Sequence, residues 1–281
     1  MNSLALAPGD EHWDDAFGLP GVDGAVQTLA VDGTLLYAGG SFDEAGGVPA
    51  KGIARWDGVA WTELGGGVTH GSSSAGEVQA IAVIGNDVYV AGYFDWAGNV
   101  SARNIARWDG SAWHAVGSGV THWGSEGQVY ALATSGPDLY VGGRFDQAGP
   151  VAANNIARWD GSSWPALGSG ITGGNLAAVY TLATSGSTVC AGGAFTVAGG
   201  TSAANVARWD GSAWSALGAG LSGGYTTPVY ALLRDPVARA WSALGSGLDH
   251  DAMALAMRSG SGSASPSPRL PPPWRPGAAL T

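Results

Sequence analysis

Read from Val26 onward, the chain runs in short segments of β-branched, aromatic and small apolar residues cut by Gly, Asp and Ser, with no stretch of helical period. One stretch illustrates the rest. Val129 to Thr134, Leu139 to Phe145, Asn155 to Trp159 and Trp164 to Leu167 are four predicted strands. Ser135-Gly136-Pro137-Asp138 and Asp160-Gly161-Ser162-Ser163 join them by connections short enough to force antiparallel hairpins. The pattern then returns. Ile53-Ala54-Arg55-Trp56-Asp57-Gly58 recurs at Ile105, at Ile156 and, with Val for Ile, at Val206, so that Trp56, Trp108, Trp159 and Trp209 stand 52, 51 and 50 residues apart.

A unit of about 50 residues with four strands and no helix suits a β-propeller blade. The repeats fall near 26–77, 78–128, 129–178 and 179–228, with a degenerate fifth at 229–257, in which Trp241 follows Val229 by 12 residues where Trp214 follows Val179 by 35. The two middle strands of that fifth unit are missing. The predicted fold class is therefore an all-β propeller of about five blades, four regular and one degenerate. Four blades, or an open array, are the alternatives. Trp13-Asp14-Asp15-Ala16-Phe17 echoes the Trp-Asp-Gly segment and is a candidate outer strand to close the ring, while 258–281, rich in Ser, Gly and Pro, is an expected disordered tail. A deletion with a change of reading frame would explain the abrupt loss of pattern, and resequencing that restores another Gly-Gly and Arg-Trp-Asp-Gly segment would test it.

Three repeated features read as structural. The Trp pairs Trp56 with Trp61, Trp108 with Trp113, Trp159 with Trp164 and Trp209 with Trp214 bracket four-residue turns, so each pair faces across two strands and packs in the core. Arg55, Arg107, Arg158 and Arg208 stand beside Trp and near Asp, where they bridge within the blade. Gly39-Gly40, Gly142-Gly143 and Gly192-Gly193, with Ala91-Gly92 in the second unit, sit inside a strand, where Gly admits another backbone or a large ring.

Length changes in one loop only, the connection from the last Gly of a unit to the next opening Val. Strand order puts that loop and the loop between strands two and three on one face. The candidate binding residues lie there: Asp43, Glu44, His70, Glu77, Asp95, Trp96, His122, Trp123, Glu126, Asp146, Gln147, Asn175 and Tyr225. Trp96 and Trp123 fall outside the repeated pairs and in polar loops, a placement suited to a sugar ring or a protein hot spot.

Composition narrows the function. Gly supplies 48 of 281 residues, about 17% against a usual roughly 7%, which argues against a helical enzyme. Twelve Lys plus Arg against 22 Asp plus Glu leave a net charge of −10, so nucleic acid is not an expected partner. His12, His70, His114, His122 and His250 have no ligand spacing, and there is no phosphate loop or nucleophile elbow, so neither a metal, a cofactor nor an enzymatic activity is expected. Cys190 replaces the Tyr of sister segments and reads as a small buried hydrophobe. No apolar run reaches membrane-spanning length, and Met1 to Leu6 lacks a secretory pattern, which implies a cytoplasmic protein if that start is genuine.

Val141-Gly142-Gly143-Arg144-Phe145-Asp146-Gln147-Ala148-Gly149, followed by Asn155-Ile156-Ala157-Arg158-Trp159-Asp160-Gly161 and Trp164-Pro165-Ala166-Leu167-Gly168, resembles bacterial kelch-like propeller proteins and the propeller part of the cortical cell-polarity marker family. The resemblance covers about residues 9 to 257. It implies secreted or surface-displayed proteins with adhesion, wall or scaffold roles. The expected function is a non-enzymatic scaffold that meets a protein or cell-surface partner through one loop face. A lectin-like propeller with aromatic sugar pockets is the alternative, and an incomplete ring adds self-association as a further expectation.

Overall fold

The computed structural model describes residues 21–71, 74–174, 176–220, 228–233 and 255–256. Every element among them is a strand. The first unit pairs Ala25–Asp32, Leu35–Ser41, Ile53–Trp56 and Trp61–Glu63 in sequence order as one antiparallel sheet. The second unit repeats it with Glu77–Ile84, Asp87–Tyr93, Ile105–Trp108 and Trp113–Ala115, and the fourth with Ala178–Ser185, Thr188–Ala194, Val206–Trp209 and Trp214–Ala216.

The third unit has only three paired strands, Gln128–Ser135, Asp138–Arg144 and Ile156–Trp159. The strand expected at Trp164 to Leu167 does not form a ladder. Pro165 stands where the other units carry Thr62, His114 and Ser215, and a Pro has no N–H to give to the sheet.

Each opening strand turns into the second through two residues that begin with a left-handed Gly, such as Gly33, Gly85, Gly136 and Gly186. The hairpin between strands three and four is fixed differently. Asp57, Asp109, Asp160 and Asp210 each accept backbone N–H bonds from the residues two and three positions on, closing the turn that sets one Trp of a pair opposite the other. The paired rings meet at 5.0–5.5 Å between centroids, tilted.

The apolar core lies between units. One cluster joins Tyr37, Ile53, Leu64 and Val68 of the first unit to Val78, Val88, Val90 and Phe94 of the second, and the next two clusters repeat the arrangement along the chain. Trp113 Nε1–H donates back to Leu64 O at 2.8 Å, and Trp214 Nε1–H to Leu167 O at 2.9 Å, so these indoles bolt the second unit to the first and the fourth to the third. A single unit would leave most of this surface in water, which makes the array cooperative between neighbours.

The two Gly of each strand serve different purposes. A Cβ on Gly40, Gly92, Gly143 or Gly193 would stand 1.9–2.1 Å from the carbonyl oxygen of Ala25, Glu77, Gln128 or Ala178, inside the bulge where the opening strand crowds its partner. The first Gly of the pair instead seats the next unit: a Cβ on Gly39, Gly142 or Gly192 would meet Val78, Val179 or Val229 Cγ1 at 2.5–2.7 Å. The second unit fits Ala91 there, fully buried beside Val129.

Opening strands of successive units lie side by side along the array. The sheets are small and antiparallel, none closes on itself, and no described strand pairs the last unit back to the first. In the fifth unit Leu232–Leu233 pairs in parallel with Leu255–Ala256 instead of turning into an antiparallel hairpin. The candidate closing segment at Trp13, the tail from 258 and most of 234–257 lie outside the described residues.

Candidate functional site

The loop from one unit to the next and the loop between strands two and three pair with each other. Val68–His70, leaving the first unit, forms a ladder with Trp96–Ala97 of the second, flanked by Ser74–Ala75 and Val100–Ser101. Val120–His122 does the same with Gln147–Ala148, flanked by Ser125–Glu126 and Val151–Ala152, and Ile171–Thr172 with Val197–Ala198 and Thr201–Ser202. The result is a row of small sheets, each stitched from two consecutive units.

A buried Asn holds the second and third of these stitches. Asn104 Oδ1 accepts the Phe94 N–H at 3.3 Å while its Nδ2 donates to Val120 O at 3.1 Å, and Asn155 repeats both bonds with Phe145 and Ile171. Asn104, Asn155 and Asn205 have φ of 66°, 62° and 64°, and Gly52 with φ 69° takes the place in the first unit. Asn and Gly share this position because both enter the left-handed region cheaply.

On this frame the candidate residues separate into modules. In the module of the second and third units the Asp146 N–H donates to Thr121 O at 3.0 Å and Asp146 Oδ2 accepts the Trp123 N–H at 2.8 Å. Trp123, a non-Gly residue with φ 49°, stacks on His122 at 4.4 Å, while Thr121 donates to Gln147 Oε1 at 3.4 Å. His122 Nδ1 lies 3.7 Å from Asp146 Oδ2, too far for a hydrogen bond, and neither His122 ring nitrogen has a hydrogen-bond partner. Trp123 is 83% exposed.

The module of the first and second units has the same skeleton. Asp95 N–H donates to Thr69 O, Asp95 Oδ1 accepts the Gly71 N–H at 3.0 Å, and His70 stacks on Tyr93 at 4.4 Å. Trp96 is opposite Thr69 and Ser101 and is 41% exposed. Asp43 and Glu44 give their N–H groups to Asp23 Oδ1, and these bonds hold the Asp23 carboxyl below its ordinary range. Glu77 accepts a bond from Gln27, and Glu126 is opposite Thr121 in the ladder. Asn175 and Tyr225 lie outside the described residues.

The structure also brings together residues that sequence reading passed over. Tyr130 meets Tyr180 at 5.2 Å, tilted, and Tyr180 stacks at 5.1 Å on Tyr230, one from each successive unit. Tyr130 and Tyr180 occupy the bulge just after the opening Val, where the ladder skips a residue, so their rings leave the sheet and form a column at the loop end. Their signal in the sequence was a Tyr one place after Val129, Val179 and Val229.

Arg55, Arg107 and Arg158 each reach a polar side chain within their own unit. Arg107 Nη1 lies 2.8 Å from Asp87 Oδ2 and Arg158 Nε 3.1 Å from Asp138 Oδ2, while Arg55 Nε donates to Thr62 Oγ1 at 3.3 Å. Burial pushes the Cys190 thiol well up, as expected for an inert core sulfur. Among the described residues no three His, Cys, Asp or Glu gather in a way that could hold a metal ion, and no helix is long and apolar enough to cross a membrane.

Fold and face together define a tandem-repeat, all-β protein with a row of stitched loops along one end. No family model matches the chain, and no curated protein matches it. Among solved structures it is similar to the computationally designed Ika8 protein, with 19% identity, 67% of this chain and 48% of that chain covered, and a TM-score of 0.38. The designed Ika4 protein gives 18% identity, 62% and 88% coverage and a TM-score of 0.36. The extracellular domain of a hybrid two-component system from B. thetaiotaomicron gives 14%, 78% and 25%, and 0.46. The chain thus spans about half the length of the first of these.

Proposed function

We propose that this chain is a non-enzymatic binding scaffold of β-propeller type, whose stitched-loop face holds a protein or cell-surface partner. The observation that carries the reading is Trp123: a largely exposed indole on a left-handed backbone position, capped by Asp146 and backed by His122. A left-handed non-Gly residue costs of order 1–3 kcal/mol, and an exposed Trp gains nothing from solvent, so a bound partner is what would use the arrangement. The repeat resemblance to kelch-like and cell-polarity-marker propellers supports a surface or extracellular setting. Net charge −10 weighs against nucleic acid.

The test compares the full chain with a Trp96→Ala, Trp123→Ala double variant for retention of proteins from an intact cell surface. The variant should bind at least tenfold more weakly, since a Trp anchor is worth about 2 kcal/mol or more. Equal retention by both would refute the face. The exposed ring beside a carboxylate and an amide also suits a sugar, and saturable quenching of Trp fluorescence by a monosaccharide, lost in Trp123→Ala, would favour that reading over the protein partner.

A further inference from the structure

The opening strand of each unit presents three side chains to the unit before it. In the second and fourth units these begin with Val78 and Val179, whose methyls lie against the seats of Gly39 and Gly142, followed by Ile81 and Leu182 over the same seats. In the fourth unit Thr184 Oγ1 adds a bond to Thr134 O of the third unit at 2.6 Å. Val78, Val129, Val179 and Val229 are all 0% exposed.

The same positions in the first unit are Val26, Leu29 and Val31, which are 43%, 60% and 71% exposed. Among the described residues this is the repeat interface with one side missing. In the repeat, the seat is a Gly-Gly pair on the second strand of a unit, and the 229–257 sequence carries no Gly-Gly pair. At the other end the Gly192 seat is filled by Val229, with Leu232 N–H donating to Thr181 Oγ1 at 3.0 Å. That cover has only Leu255–Ala256 paired behind it among the described residues, whereas Ala25–Asp32 is backed by a full four-stranded sheet.

The geometry points to a second copy of this chain as the occupant: Val26, Leu29 and Val31 of one copy dock on the Gly192 seat of another, displacing its 228–233 segment. The contact continues an interface already built three times within the chain. It is heterologous, joining the head of one copy to the tail of the next, so it closes into a ring or extends into a filament. It lies on the sheet faces, apart from the stitched loops.

Sedimentation of the full chain across micromolar concentrations tests it, together with amide hydrogen exchange. Mass should rise in multiples of the monomer, with slowed exchange over 26–31 only in the associated fraction. Val31→Asp puts a charge on a side chain exposed in the monomer and should weaken association at least tenfold without altering the circular dichroism. Gly192→Val fills the seat and should do the same. Mixing the two should restore a one-to-one pair, because one contributes an intact seat and the other an intact strand. Should Gly192→Val not fold, Val229→Asp replaces it, and by loosening the native cover it should strengthen association. A wild-type monomer at every concentration, with or without slowed exchange at 26–31, would overturn the inference. So would Val31→Asp associating like wild type, Gly192→Val dimerising alone, no pairing in the mixture, or Val229→Asp associating no better than wild type.

Discussion

Replacing Asn104 separates the two reasons for its presence. Its side chain is fully buried, and it satisfies the Phe94 N–H and the Val120 carbonyl, one in its own unit and one at the entry to the next. Asn104→Ala removes both partners and places an alanine at φ 66°. Leaving a buried polar group unsatisfied costs about 1–3 kcal/mol, and the 3.3 Å bond to Phe94 is at the weak end. A left-handed alanine adds roughly 1–2 kcal/mol. The expected loss for Ala is therefore about 3–5 kcal/mol. Asn104→Gly loses the same bonds yet keeps the backbone relaxed, as Gly52 does in the first unit, so it should cost roughly 1–2 kcal/mol less than Ala. Urea unfolding followed by Trp fluorescence measures both, and hydrogen exchange at Val120 reports whether the stitch has opened. Equal losses for Ala and Gly would refute the backbone argument. Losses under about 1 kcal/mol for both would refute the stitch.

Gly143→Ala, which forces a Cβ to within 2.0 Å of Gln128 O, should prevent folding of the third unit. Gly142→Ala, whose counterpart is Ala91, should cost no more than about 1–3 kcal/mol in the same urea assay. Cys190, fully buried with its thiol pushed up, should resist a thiol reagent in the native protein and react at once in urea; rapid native labelling would contradict its burial. Backbone and side-chain hydrogen bonds hold the Asp109, Asp160 and Asp210 carboxyls low, Asp210 at about 2. These depressed values stabilise the fold above the unfolded carboxylate range near 4, and that contribution is lost as pH falls from there toward about 2. Thermal melts should accordingly be flat above about pH 5 and fall below pH 4, less steeply in Asp160→Asn; an unchanged slope there would count against these turns. Asp146→Thr, which copies Thr196 of the fourth unit, should leave the circular dichroism intact and lower the fluorescence anisotropy of Trp123; an unchanged anisotropy would mean that the Asp146 cap does not orient the indole.

Much of the frame could be read before any coordinates because its causes are local. Gly at a two-residue turn, Asp at a four-residue turn and alternating Val, Ala and Leu each act within a few residues, and they recur. The Pro165 ladder break was readable too, had its missing N–H been weighed against the repeat. Pairing between the two loop types was not. His70 and Trp96, or Trp123 and Asp146, are over 20 residues apart, and the short runs Val68–His70 and Trp96–Ala97 carry no periodicity of their own. The Asn stitch left a faint mark, an Asn before Ile105, Ile156 and Val206 exchanged for Gly before Ile53, which is the signature of a left-handed position. The Tyr column depends on a bulge that inverts which face a residue takes, and strict alternation misses it.

Division of labour inside each module explains why the face can vary while the frame does not. The bonds that hold a module together are largely between backbone groups: Ala50, Ala102, Ala153 and Ala203 each donate to the residue at the start of the loop, whether that residue is Asp43, Asp95, Asp146 or Thr196. Gly98, Gly149 and Gly199 likewise donate to Gly67, Gly119 and Gly170. A side chain that makes none of these bonds can change without loosening the stitch. Such positions include 96 and 123, both occupied by Trp in this chain. The carboxylate matters where a left-handed residue, Gly71 or Trp123, needs its N–H satisfied. Shape is thus set by main chain, Asn and Gly, and chemistry by a few side chains that the frame leaves uncommitted, which is the arrangement the proposed binding scaffold requires.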